Sequence, residues 1–322
     1  MNGLLTQEGT STTATAENVS AAMASAKFFW LDLDASGDAD LTSVLTDTFH
    51  FHPLAVEDAE HFGQRPKLDD YDDYVYMVVH GAAAKGTGTV EVHIFFSDKF
   101  AVTIHRGTVS EIDDVRTKTA HRRAGRPQVA LVYFIVDALT DSFFPVLADF
   151  DDRIDTLEDA ILVQPTEEQL GQVFAMKRQL MLIRKIVTPQ RDMFAGISAG
   201  VTQLPGSGDE TTRYFRDLYD HLIRISDMVD GYRDLLSGVM DTHISTVSNR
   251  LNVVMKQLAI IATIFLPLSY LTGFFGQNFA WLVTHIGGRV AFFGVGIGTE
   301  VVAVVILFSL FKRRGWLGGP TA

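Results

Sequence analysis

Glu300 is the residue whose position asks most of its surroundings. It lies about ten residues from either end of an apolar run, 290–311, and is the only acid after Asp241. A carboxyl group at mid-bilayer is costly unless it faces a protein interior or an aqueous cavity, so the position marks a candidate functional group. Two readings follow. Glu300 is either a protonatable group bonded to the other apolar run, able to link a transmembrane process to protons, or a neutral acid held by Thr299 or a nearby carbonyl. Depth matching of antiparallel spans sets it opposite about Phe265, near Thr263 and Ser269.

A second set repeats along one helical face. Asn252, Met255, Ala259, Ala262, Leu266, Ser269 and Gly273 recur at three and four residues, with Leu258 beside them. Small residues in such a stripe suit close helix–helix packing. His50, His52 and His61 are close in sequence, but alternation around Phe51 and Pro53 does not build a metal site, and they read as structural. There are no cysteines, hence no disulfides, thiolate sites or thiol nucleophiles. No glycine-rich phosphate loop, nucleophile elbow or His-Glu-x-x-His motif is present, which argues against an enzyme. A membrane-anchored α/β enzyme is the alternative from another class.

The elements that hold these residues are legible. Met255–Phe275 is 21 residues with almost no charge, enough to cross a bilayer. Its helical pattern reaches back to about Asp209, giving a helix of about 67 residues and roughly 100 Å. That rod ends in Gly276-Gln277-Asn278. Two spans place both termini on one side. Arg250, Lys256 and Lys312-Arg313-Arg314 flank the spans while the loop between them holds Arg289 alone, so both termini are expected in the cytoplasm, in a plasma or inner membrane.

Charge is split. Residues 1–241 hold 38 acids and 21 bases, net −17, and residues 242–322 hold one acid and six bases, net +5. An acidic front half excludes nucleic acid as the expected partner and suits cations. Residues 1–26, rich in Ser, Thr and Ala without a long apolar core, read as a disordered tail. From 27 to 148 the pattern is that of an α/β/α domain. Strands are expected at 28–33, 74–80, 90–96 and 100–105, with helices at 41–48, from Pro53, at 110–123 and at 129–147. A helical hairpin and linker follow at 149–206, its arms running from Phe150 to Val187. The hairpin turns at Gln164-Pro165-Thr166, where Thr166 and Gln169 fit a capping box. The long helix fills 207–275, a loop 276–289, the second span 290–311, and a basic tail 312–322. Leu218, Leu222, Ile225, Val229, Tyr232, Leu236 and Val239 form a seam at coiled-coil spacing, for the same chain's hairpin or for self-association. The fold class is thus an α+β membrane protein whose stalk helix runs into the first of two transmembrane helices.

The stretch NVVMKQLAIIATIFLPLSYLTGFFGQNF resembles the first transmembrane helix and signature loop of CorA-type divalent metal ion transporters. His52-Pro53-Leu54 with Glu57-Asp58, Arg65-Pro66-Lys67, Arg216-Asp217-Leu218-Tyr219-Asp220-His221 and the Lys312-Arg313-Arg314-Gly315-Trp316 tail extend the resemblance from about 27 to 317. It implies a homopentameric Mg²⁺ channel in the lipid bilayer, with a cytoplasmic α/β/α funnel. The family's usual Gly-Met-Asn is Gly276-Gln277-Asn278 here. Zinc-moving relatives of the ZntB type also vary this middle residue, so the change bears on the ion.

By this resemblance, Gly276, Gln277 and Asn278 would be the selectivity filter, where neutral oxygens hold a hydrated Mg²⁺. Asn252 and Ser269 would be polar stations in a pore-lining face with Ala259, Ala262 and Gly273, and Met255, Leu258 and Leu266 would be constrictions that gate by dewetting. Asp217 matches the position where the family binds regulatory Mg²⁺ between subunits. The ion expected is Mg²⁺, moving down its gradient. The alternative is Zn²⁺, Co²⁺ or Ni²⁺ on the same scaffold, with proton coupling as a further option.

Overall fold

The computed structural model describes all residues except 1, 26, 38–40, 84–87, 121–127, 278 and 317–322, and omits the side chains of 119, 120, 209 and 210. The chain divides into two compact units, Met1–Asp241 and Thr242–Ala322.

In the first unit seven strands form one sheet: β1 (Gly3–Gln7), β2 (Thr10–Thr13), β3 (Phe29–Asp34), β4 (Lys67–Tyr71), β5 (Tyr74–Ala82), β6 (Thr89–Phe96) and β7 (Phe100–His105). Their spatial order is β2-β1-β3-β7-β6-β5-β4, and β3 with β7 is the parallel pair. Strand alternation sends successive side chains to opposite faces. Val75, Met77 and Val79 of β5 enter one core while Tyr74, Tyr76 and Val78 enter the other.

Helices cover both faces. On one lie α1 (Ala16–Ala24), α2 (Leu41–Ser43) with a π-helical turn (Val44–Thr48), and α3 (Pro53–Glu60), contributing Val19, Leu45, Ala55 and Val56. On the other pack α4 (Ser110–Ala120), α5 (Val129–Asp141), α6 (Phe143–Val163), α7 (Glu167–Ser198) and the first part of α8 (Asp209–Phe275). The seam of α8 is settled here. Leu218, Leu222, Ile225, Val229, Leu236 and Val239 are buried within the chain, each contributing roughly 1.5–3 kcal/mol.

Three boundaries differ from expectation. Residues 3–25 are not a disordered tail. β1 pairs with β3, and Leu5, Ala14, Val19 and Ala22 are buried. A Ser/Thr-rich segment supplies little apolar area, but pairing to an existing sheet satisfies its backbone, and thermodynamic support comes from β3 rather than from its own composition. The apolar stretch 129–147 is two helices because Ser142 interrupts it. Its hydroxyl accepts Ala82 N–H at 2.7 Å and donates to Leu139 O at 2.5 Å, so the hairpin begins at Phe143. α7 continues to Ser198, beyond the expected end of the hairpin's second arm at Val187. The capping box of Thr166 and Gln169 is present.

Where β5 outruns β4, Gln190 of α7 replaces the missing strand. Its side chain accepts His80 N–H at 2.8 Å and donates to His80 O at 3.2 Å. On the other edge of the core, Asp32 accepts from Thr103 Oγ1 and pairs with Arg116 and His105, tying α4 to the sheet. His50, His52 and His61 each bond a neighbouring backbone group, His52 as the N-cap of α3.

In the second unit α8 continues to Phe275, followed by α9 (Ala280–His285), α10 (Arg289–Ala291), a π-helical turn (Phe292–Ile297) and α11 (Gly298–Arg313). Three described segments are long and apolar enough to cross a membrane. The best window of Val129–Val163 is half buried in the first unit, whereas those of Thr211–Phe275 and Arg289–Arg313 have no buried residue.

Candidate metal cluster and ion path

Asp217 and His221 are one turn apart on α8, and Tyr133, Asp137 and Asp141 are successive turns of α5. Spacing of four residues puts each set on one face of its helix. Packing of α5 against α8 brings the sets together. Tyr133 Oη donates to Asp217 Oδ2 at 3.0 Å. His221 Nδ1 lies 3.3 Å from Asp141 Oδ1 and 3.6 Å from Asp137 Oδ1.

The electrostatics are those of a crowded acidic site. Burial pushes the Asp137 carboxyl up to about 6, the Asp141 and Asp217 charges add to the shift, and His221 opposes it. Burial also raises the Tyr133 phenol, helped by the same three carboxylates. Asp137 Oδ1 and His221 Nδ1 are buried without a hydrogen-bond partner. One ligand atom from each of Asp137, Asp141 and His221 lies within 4.8 Å of the others. Ligands of one ion at about 2.0–2.6 Å are at most about 5 Å apart, so the three fit a divalent cation. Two carboxylates suit Mg²⁺, and the imidazole also suits Zn²⁺, Co²⁺ or Ni²⁺. None of these three residues was singled out from sequence; Asp217, beside them through Tyr133, was. The four-residue spacing within Asp137…Asp141 and Asp217…His221 was the available signal, but nothing local says that the two helices face each other.

Among the described residues the stripe of α8 is uncovered, like most of the helix beyond Asp241. Asn252, Met255, Leu258, Ala259, Ala262, Leu266, Ser269 and Gly273 are all exposed. At the end of α8, Gly276 N–H donates to Thr272 O at 2.9 Å and Gln277 N–H to Phe274 O at 3.3 Å. Gly276 does not adopt left-handed backbone, and a Cβ there would lie 3.2 Å from Thr272 O. Gln277 borders a cavity of about 340 Å³ lined also by Leu282, Val283, Ile286 and Phe292. Asn278 lies outside the described residues.

Glu300 bonds α8 at Thr272, one turn beyond Ser269, rather than at Thr263. Its Oε1 accepts from Thr272 Oγ1 at 2.7 Å, while Thr263 donates to Ala259 O and Thr299 to Val295 O. The two helices end at different depths: Glu300 lies eleven residues into the continuous helix Arg289–Arg313, whereas Thr272 lies three residues before the end of α8.

Residues 25–313 match the family model described as CorA-like Mg²⁺ transporter protein. YfjQ of Bacillus subtilis is 33% identical over 90% of each chain. The cobalt/magnesium transport protein CorA of Thermotoga maritima is 32% identical, covering 89% of this chain and 83% of that one. The zinc transport protein ZntB of Pectobacterium carotovorum is 27% identical over 89% and 88%. The complete structure of the CorA magnesium transporter from Methanocaldococcus jannaschii superposes with a TM-score of 0.83 at 21% identity, covering 98% of this chain and 99% of that one. The chain carries the α/β domain, the long helix and the apolar helices together, as a membrane transporter rather than an enzyme. It belongs to the CorA-like family of divalent cation transporters.

Proposed function

We propose that five copies of this chain form a channel that admits Mg²⁺ down its electrochemical gradient and closes when cytoplasmic Mg²⁺ occupies the Asp217 cluster. The observation that carries this is a single helix. α8 bears Asp217 and His221 in its first part and the uncovered stripe Asn252–Gly273 in its last. In a ring that stripe faces the axis. Asn252 and Ser269 offer neutral oxygens there, and Met255, Leu258 and Leu266 narrow it with apolar surface. Gly276, Gln277 and Asn278 form the outer entrance, where backbone carbonyls and amides hold the hydrated ion. The distribution of Arg and Lys around two apolar spans, the last part of Thr211–Phe275 and Arg289–Arg313, supports cytoplasmic termini.

The gate follows from charge. Mg²⁺ held by Asp137, Asp141 and His221 beside Asp217, and bridged to a neighbouring subunit, neutralises carboxylates that otherwise repel. Its loss favours the open ring, so occupancy and opening are coupled reciprocally.

A second reading, Zn²⁺, Co²⁺ or Ni²⁺ as cargo, is favoured by the imidazole of His221 in the cluster and by Gln277 in place of methionine. Flux into proteoliposomes with Mg²⁺, Co²⁺, Ni²⁺ and Zn²⁺ in turn, with and without a pH gradient, separates the readings. Asn278→Ala is expected to reduce flux, and undiminished flux would sink the proposed entrance. A monomer in detergent would count against the ring.

A further inference from the structure

Thr272 does two jobs in the last turn of α8. Its carbonyl accepts the Gly276 N–H that closes the helix and starts the turn into Gln277. Its hydroxyl lies 2.9 Å from Leu268 O and 2.7 Å from Glu300 Oε1. Glu300 thereby ties α11 to the residue on which the signature turn hangs. The turn is also tight at that point, since a Cβ at Gly276 would meet Thr272 O at 3.2 Å and Gly273 O at 3.5 Å.

The hydrogen count decides what kind of contact this is. A hydroxyl has one hydrogen and two lone pairs, and this one faces two acceptors. With a bare carboxylate the single hydrogen is shared between them. With a proton on Glu300, the carboxyl donates to Thr272 Oγ1 and the Thr272 hydrogen goes wholly to Leu268 O. Among the described residues no cation pairs with Glu300, and six bases of the second unit lie toward the ends of its apolar runs. An unpaired charge in such a stretch is costly, whereas a hydrogen-bonded neutral carboxyl is not.

We infer that Glu300 is a positioning residue that acts through this hydrogen bond rather than through a charge, clasping α11 to the last turn of α8 and setting the geometry of Gly276-Gln277. The inference rests on the reading of that turn as the ion entrance. Glutamine keeps an amide donor at 300 and serine keeps the hydroxyl at 272, so both should preserve the clasp. Leucine and valine remove it with little change in volume.

The test compares Glu300→Gln, Glu300→Leu, Thr272→Ser and Thr272→Val in proteoliposomes, reading the ratio of Mg²⁺ to Zn²⁺ flux. A ratio does not depend on how much protein assembles. Glu300→Gln and Thr272→Ser are expected to stay near wild type. Glu300→Leu and Thr272→Val should each shift the ratio by about the fivefold that one hydrogen bond is worth. The double variant should shift it no further than either single, because both remove one contact. A wild-type ratio in both Glu300→Leu and Thr272→Val would overturn the inference. So would a Glu300→Gln variant as impaired as Glu300→Leu, which would assign Glu300 a charge or a transferable proton. If Glu300→Leu does not assemble, the Thr272 pair decides alone. Asn278→Ala in the same series separates the two readings. Unchanged flux there removes the entrance, while the clasp is judged on the Thr272 and Glu300 variants.

Discussion

Replacing Asp137 by asparagine is expected to stabilise the metal-free protein at neutral pH and to abolish the stabilisation a divalent ion provides. The Asp137 side chain is 23% exposed, and burial first, then the Asp141 and Asp217 charges, lift its carboxyl from 3.8 to about 6. At about 1.4 kcal/mol per tenfold change in acidity, holding Asp137 ionised in the fold costs at most about 3 kcal/mol. The folded value lies above the unfolded one. Stability tied to this group is therefore fully present below about pH 4 and is lost as pH rises through about 6. Asparagine keeps the shape and does not ionise, so the variant escapes that loss. The expected gain is about 1–3 kcal/mol near pH 7.5, or roughly 2–12 °C in melting temperature for a unit of this size. At about pH 4 the gain should vanish. The assay is thermal unfolding of the full chain in detergent with a chelator, wild type against variant, so that all other titrating groups cancel. Repeating it in Mg²⁺ at roughly a hundred times its dissociation constant should add about 2.7 kcal/mol to wild type and little to the variant. A variant that melts below wild type in chelator at neutral pH, or gains as much from Mg²⁺, would refute the argument.

Three further substitutions probe the frame around the cluster. Glu91 accepts Gly63 N–H at 2.6 Å and Gln64 N–H at 3.1 Å and lies 3.0 Å from His93 Nε2. Burial pushes its carboxyl up, but the neighbouring His80 and His93 rings and the Gly63 N–H prevail and hold it far below the usual range. Its stability is thus present above the unfolded value of 4.5 and lost as pH falls below it. Glu91→Gln should cost about 2–5 kcal/mol in urea titrations at neutral pH and flatten the acid limb. Gly81→Ala drives a Cβ to 2.8 Å from Leu139 O and 2.9 Å from Ser142 Oγ, and urea midpoints should report a loss of about 1–3 kcal/mol. Gln190→Leu leaves the His80 N–H and C=O unpaired in the core, a loss of about 2–5 kcal/mol that hydrogen exchange at His80 should register first.

Much of the architecture was legible because it is written in local periodicity. The helix from 209 to 275 follows from apolar spacing without a strong breaker, and the capping box at Thr166 from two residues three apart. The signature stretch up to Gly276-Gln277-Asn278 identified the family because its residues are contiguous. Residues 3–25 were misjudged for the opposite reason: β1 is held by β3, more than twenty residues away, and its own composition carries no trace of that partner.

The sites divide along the same line. Asp217 and Glu300 could be singled out from sequence, the first by motif and the second as a lone acid in an apolar run. What surrounds them could not. Asp137 and Asp141 reach His221, and Tyr133 reaches Asp217, only because α5 packs on α8, and Glu300 meets Thr272 only because α11 lies against the last turn of α8. Sequence by itself determined which residues have costly or reactive chemistry and which helices carry them. The tertiary structure alone decided their partners, because a hydrogen bond or a shared ion depends on distances of a few ångströms between segments that the chain separates by dozens of residues.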